Sequence, residues 1–130
     1  MNSTRPHHLT LFFRCSFIIT LIAVTYFATS ETTEITVFSI SDKLNHLFAF
    51  FVLAAQLDYS IPESSFNRKK IIFLLFYGAL IELIQYFLLY RTCSLADFFV
   101  DGVGILFYLL VSPYLVQVNF LAKARHRFKD

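Results

Sequence analysis

Five side chains in the segment YGALIELIQYFLLYRTCSLADFFVDGVG, residues 77–104, are out of keeping with their neighbours. Glu82, Gln85, Arg91, Asp97 and Asp101 stand among phenylalanines and leucines. A second set, Asp42, Lys43 and His46, opens an earlier apolar run. Carboxylate, imidazole and guanidinium groups move protons, hold anions and ligate cations. An imidazole titrates near neutrality, so His46 suits a proton donor or acceptor, with Glu82 as its acid–base counterpart. Arg91 suits an anionic group, which a guanidinium can grip with two parallel hydrogen bonds.

The spacing aims these groups. Asp42 and His46 are four apart; Gly78, Glu82 and Gln85 follow i, i+4, i+7, and so do Asp97, Asp101 and Gly104. At helical periodicity each set lies on one face of its helix. Three helices with one polar stripe each are most stable with the stripes turned toward one another.

Such helices follow from composition. The chain has 130 residues, of which 57% are hydrophobic and 15% charged, with 17 Phe and only 3 Gly and 3 Pro; its mean hydropathy is +0.63. These values leave soluble usage behind and point to a membrane protein. A hydrocarbon core about 30 Å thick takes roughly 20 apolar residues per spanning helix. Four stretches qualify, at about 9–29, 44–61, 71–90 and 97–118, with short connectors and no room for a soluble domain. The runs do not alternate apolar with polar residues, which argues against a β-barrel. The expected fold is therefore an all-α membrane protein, four transmembrane helices in one compact bundle over residues 1–130.

Charge placement orients the bundle. With the N-terminus inside, Arg5, Arg14, Arg68, Lys69, Lys70, Lys123, Arg125, Arg127 and Lys129 all fall on the inner side, and only Lys43 and Arg91 outside. The positive-inside tendency thus puts both termini in the cytoplasm and makes the chain a multi-pass protein of the inner (cytoplasmic) membrane. The tail KARHRFKD then meets anionic headgroups, in preference to nucleic acid. A cleaved signal peptide is the rival reading of the first run, where ATS offers a small-residue cleavage pattern. Cys15 and Cys93 lie at opposite ends and are not expected to pair.

In this topology the unusual residues converge beneath the outer face. Glu82, nine residues before Arg91, is expected roughly 13 Å below the outer end of its helix, near the midplane. A carboxylate there costs about 2.5–3.5 kcal/mol if it faces lipid, so it must be protonated, paired or in contact with water inside the bundle. Asp101 stands one turn from Asp97, a repulsive spacing that implies a partner, for which Arg91 is the candidate.

Plainer roles compete. Ser94 with Asp97, and Ser39 with Asp42, have capping-box spacing, so both acids could serve helix N-termini. Gln85 could hydrogen-bond across helices. Asp58 lies near the inner end of the second helix, within reach of the cationic run 68–70. His7, His8 and His126 read as surface groups, and Pro113 as a kink toward the inner end of the fourth helix.

Three motifs in order carry a resemblance: SDKLNHLFAF (41–50), YGALIELIQYFLLYR (77–91) and SLADFFVDGVG (94–104). Over residues 41–114 the chain resembles the VanZ-like family of small integral membrane proteins. That likeness selects Asp42, Lys43, His46, Phe50, Gly78, Glu82, Gln85, Arg91, Ser94, Asp97 and Gly104. Asp101 departs from it, standing where the family commonly has asparagine. The resemblance implies a link to glycopeptide-type antibiotic resistance and no defined reaction; likeness of fold does not transfer function.

Two functional expectations follow. In one, a membrane-embedded site open to the outer leaflet binds or modifies an envelope component, such as a lipid-linked or amine-bearing molecule. His46 and Glu82 are then the acid–base pair, with Asp42, Lys43, Gln85, Arg91, Ser94, Asp97 and Asp101 around them. In the other, the polar cluster locks the helices of a non-enzymatic scaffold that supports a partner protein. No cofactor is expected. His46, Glu82, Asp97 and Asp101 are ligand types for a metal, but no paired spacing supports one and none is expected. Ion transport is disfavoured because only Asp58 lines the inner half.

Overall fold

The computed structural model describes residues 7–31, 38–91, 93–115 and 117. Within these lie four helices and no strand: α1 (His7–Thr29), α2 (Phe38–Ser60), α3 (Arg68–Phe87) and α4 (Leu95–Leu115). Arg5 and the tail cations Lys123, Arg125, Arg127 and Lys129, on which much of the orientation argument rests, fall outside the described residues, as does His126.

Three helices, α1, α3 and α4, are long and apolar enough to cross a membrane. The surface pattern fits that environment. Large apolar side chains point outward, among them Ile19, Ile22, Phe76, Leu83, Phe99 and Leu110, while Asp58, Lys70, Glu82, Asp97 and Asp101 are buried inside. A water-soluble protein has the reverse arrangement. Helix α2 has the length, 23 residues, but not the apolarity, because Asp42, Lys43, Asn45, His46, Gln56 and Asp58 interrupt it. It compensates by packing against all three other helices, most extensively α4 and α1.

The core runs along α2. Phe50, Leu53, Ala54 and Leu57 meet Phe17 of α1, Leu74 of α3, and Ile105 and Tyr108 of α4. Close approach of α2 to α4 depends on Gly104, where an added Cβ would collide with the Leu47 carbonyl oxygen and come within 3.2 Å of the Phe51 backbone nitrogen. Small residues at such crossings let helix backbones pack without a hydrophobic driving force.

Local chemistry sets the helix ends. Asn67 caps α3 in an extended conformation, and its Oδ1 accepts the Lys70 N–H at 3.2 Å. Pro113 sits inside the last turn of α4. Its missing N–H would have bonded the Leu109 carbonyl, and the Ser112 hydroxyl donates there instead at 3.1 Å. That substitute lets the helix run on to Leu115 despite the proline.

Two boundaries differ from expectation in ways that move the site. Helix α2 is described from Phe38, so Ser39 and Asp42 lie inside it, and the capping-box role for Asp42 falls. Helix α3 ends at Phe87, not at 90. Beyond it the chain turns, with the Leu88 N–H on Gln85 O and the Arg91 N–H on Leu88 O, and re-enters at Ser94. Glu82 is therefore about 7.5 Å from the end of its helix, roughly midway between that end and the helix centre and shallower than expected.

Candidate functional site

The C-terminal end of α1, the N-terminal end of α2, the C-terminal end of α3 and the N-terminal end of α4 share one end of the bundle. His46 of α2 and Asp101 of α4 meet there, with His46 Nδ1 2.8 Å from Asp101 Oδ1. The Asp101 side chain has no exposed surface and His46 retains 10%. Asp101 reaches this depth because Gly78 leaves room: a Cβ on Gly78 would lie 2.9 Å from Asp101 Oδ2. Glu82 of α3 completes the group, its ligating oxygen within 4.8 Å of those of His46 and Asp101. Its Oε2 accepts the Ser94 N–H at 3.0 Å. This bond holds the re-entering segment over the site and satisfies an amide just ahead of α4.

Around this centre lies a more accessible rim. Lys43 Nζ is 3.6 Å from Asp97 Oδ1, with the lysine side chain 43% exposed. Asp42, His46 and Asp97 also have ligating atoms within 4.8 Å of one another, so His46 belongs to both groups. Asp97 lies in the first turn of α4, where a carboxylate favours the helix dipole, and its N–H bonds to the Ser94 carbonyl at 3.0 Å.

Arg91 does not pair with Asp101. Its Nε donates to Ser30 O at 3.0 Å and its terminal nitrogen to Phe27 O. Gln85 Nε2 donates to Ala28 O at 2.9 Å, and the Tyr90 hydroxyl to Thr29 O at 2.7 Å. The reason is geometric and electrostatic. The last carbonyls of α1 have no intrahelical donor and carry the negative end of its dipole, and the turn after Phe87 brings a guanidinium to them. Arg91 and Gln85 thus leave the acid cluster and cap α1.

The result is two buried carboxylates without a neighbouring cation of fixed charge. Among the described residues the ion pairs are Lys43 with Asp97 and Lys70 with Asp58, joined by His46 with Asp101 only when the imidazole is protonated. Glu82 Oε1 and Asp101 Oδ2 are buried with no hydrogen-bond partner. The Cys93 thiol approaches the same glutamate, but a thiol is a weak donor and leaves Oε1 unsatisfied. Partial desolvation and the Glu82 carboxylate push that thiol's pKa up.

The opposite end holds a cluster of a different character. Lys70 Nζ donates to Asp58 Oδ1 at 3.0 Å, to Ser64 O at 2.8 Å and to Ile61 O at 3.0 Å. The Tyr108 hydroxyl donates to Asp58 Oδ2 at 2.5 Å. Asp58 is thus buried and paired with Lys70, one of the cations of the run 68–70. The part of Tyr108 escaped sequence reasoning, although it continues the stripe Asp97, Asp101, Gly104 at i+11. Tyr77 was missed as well; its hydroxyl bridges Thr25 Oγ1 at 2.8 Å and Leu21 O at 3.0 Å, tying α3 to α1. An open, mainly apolar depression lined by Leu21, Ile22, Thr25, Tyr26 and Thr29 lies on α1 and shares no residue with the acid cluster.

Chemically, the centre can orient an imidazole through Asp101, exchange protons between His46 and Glu82, or hold a cation between them. No protein-family model, curated protein or solved structure matches the chain.

Proposed function

We propose that this chain is a VanZ-like integral membrane protein of the inner membrane, crossing it four times with both termini in the cytoplasm. Its polar site lies beneath the outer face and binds or modifies a cell-envelope component. The observation that carries this reading is the meeting of His46, Glu82 and Asp101 from three helices, with His46 Nδ1 held by Asp101 at 2.8 Å. An imidazole fixed through one nitrogen by a carboxylate presents the other as a base of defined direction. Glu82, with a carboxylate oxygen within 4.8 Å of the imidazole, can return the proton. The partly exposed Lys43, paired with the buried Asp97, is the approach for a polar headgroup, and the three-motif resemblance supports an envelope role linked to glycopeptide resistance. The fourth crossing is assigned to α2, whose polar residues His46 and Asp58 bond to other helices or to Lys70 at the start of α3.

The test is Glu82→Gln in cells, with expression and topology verified. Loss of the envelope phenotype, such as altered glycopeptide susceptibility, is expected; an unchanged phenotype removes Glu82 from the mechanism. The scaffold reading has its own support in the bonds from Gln85, Tyr90 and Arg91 that dock α1. It predicts that Glu82→Gln acts by lowering thermal stability in detergent. Loss of activity at unchanged stability discards it.

A further inference from the structure

We propose that His46, Glu82 and Asp101 form a binding site for one divalent transition-metal ion of the zinc and manganese class. Such a site would bind its ion whichever envelope component the protein acts on. Three side chains, one from each of α2, α3 and α4, place candidate ligating atoms within 4.8 Å of one another. Ligands bound at about 2.0–2.2 Å to a tetrahedral ion lie roughly 3.5 Å apart, so rotations of the Glu82 and His46 side chains by about an ångström close the site. The chain spacing of these residues gives no hint of it, because the ligands come from separate helices.

The second observation is the unsatisfied oxygens. Asp101 is 0% exposed and Glu82 7%, and each buries one oxygen, Oδ2 and Oε1, without a hydrogen-bond partner. A buried carboxylate oxygen with nothing to bond is costly, and buried charge persists when it is paired or coordinates a metal. Gly78 matters here, since its missing side chain makes the space beside Oδ2.

Charge is the third. The cations that could neutralise the pair are engaged elsewhere: Arg91 on α1 carbonyls, Lys43 on Asp97, Lys70 on Asp58. Two carboxylates with a neutral imidazole carry −2, which one divalent ion cancels in a medium that penalises net charge. One nitrogen and two or more oxygens suit zinc or manganese, whereas calcium and magnesium favour all-oxygen sets. An entry path is also present. The triad Asp42, His46 and Asp97 shares the imidazole with the Glu82 triad, so an ion captured at Asp42, the half-buried carboxylate, can pass inward by exchanging ligands around His46.

The experiment uses the full chain purified into lipid nanodiscs, stripped with chelator, and titrated calorimetrically with Zn²⁺, Mn²⁺ and Mg²⁺. One Zn²⁺ or Mn²⁺ per chain, displacing Mg²⁺, is expected. Glu82→Gln and Asp101→Asn should weaken binding by more than the roughly 10- to 100-fold that loss of an outer-shell partner costs. Asp97→Asn should weaken it by less. Absence of stoichiometric binding overturns the proposal, as does binding that survives Glu82→Gln and is lost in Asp97→Asn. Should the variants fail to fold, Co²⁺ added to the wild-type chain decides: a visible d–d spectrum of nitrogen and oxygen ligation is expected, and an aqua-ion spectrum refutes it. If metal does not bind while Glu82→Gln still abolishes the envelope phenotype, only the metal assignment fails.

Discussion

Asp58 and Asp101 are both fully enclosed aspartates on opposite ends of the bundle, and their surroundings give them opposite work. Asp58 has Lys70 at 3.0 Å on one oxygen and the Tyr108 hydroxyl at 2.5 Å on the other, a satisfied network that rigidifies the helices. Asp101 has His46 on one oxygen and nothing on the other. Satisfied polar networks serve stability, and half-satisfied ones are where ligands or protons belong. Asp58→Ala should therefore destabilise the chain by about 3–5 kcal/mol, because Lys70 is left as an uncompensated buried charge. Tyr108→Phe should cost less, about 1–3 kcal/mol, for the hydrogen bond alone. Chemical unfolding in detergent micelles measures both. Asp101→Asn should be far milder in the same assay, since it removes charge from a site that lacks a compensating cation; a loss as large as that of Asp58→Ala would assign Asp101 to scaffolding.

At the scale of elements, the decisive contacts are at helix ends and crossings. Arg91 donates to the C-terminal carbonyls of α1, so Arg91→Ala should loosen α1 while leaving the α2–α4 crossing intact. A stability loss of about 1–3 kcal/mol, with protease sensitivity confined to the α1 end, is the expected outcome. Gly104→Ala tests the crossing itself. The new methyl meets backbone atoms of α2, which cannot rotate away, so about 1–3 kcal/mol of overpacking is expected. Gly102→Ala is the control, its methyl meeting only a Leu75 side-chain carbon at 3.9 Å. Helical periodicity made the three polar stripes legible in advance, because buried polar side chains in an apolar helix must share a face. The ends were not legible. Residues 88–90 are as apolar as those before them, so the pattern carried α3 on to 90. The helix stops earlier because the α1 carbonyls attract Arg91 and Glu82 captures the Ser94 amide, both tertiary effects with no local signature. The same blindness assigned Arg91 to Asp101, since charge complementarity in sequence ignores the uncharged carbonyls of a neighbouring helix.

For the whole molecule, the arrangement of interior and exterior determines what can be tested about orientation. Apolar side chains cover the flanks and charged ones fill the inside, so polar reagents reach the chain only at its ends. Cys15 and Cys93 are both free and exposed, but Cys15 follows Arg14, whose Nε binds Ser60 O at the end of α2, whereas Cys93 lies in the turn above the acid cluster. In the proposed topology a membrane-impermeant maleimide added to intact cells should label Cys93 and spare Cys15. Partial desolvation, and after it the Glu82 carboxylate, hold the Cys93 thiol above its ordinary range. Because the thiolate is the reacting form, labelling should be slow near neutrality and accelerate as external pH rises. Glu82→Gln removes the repelling charge and should speed labelling at a given pH. Labelling of Cys93 only after permeabilisation would invert the topology, and would move the site, with whatever it binds, to the cytoplasmic half of the bilayer.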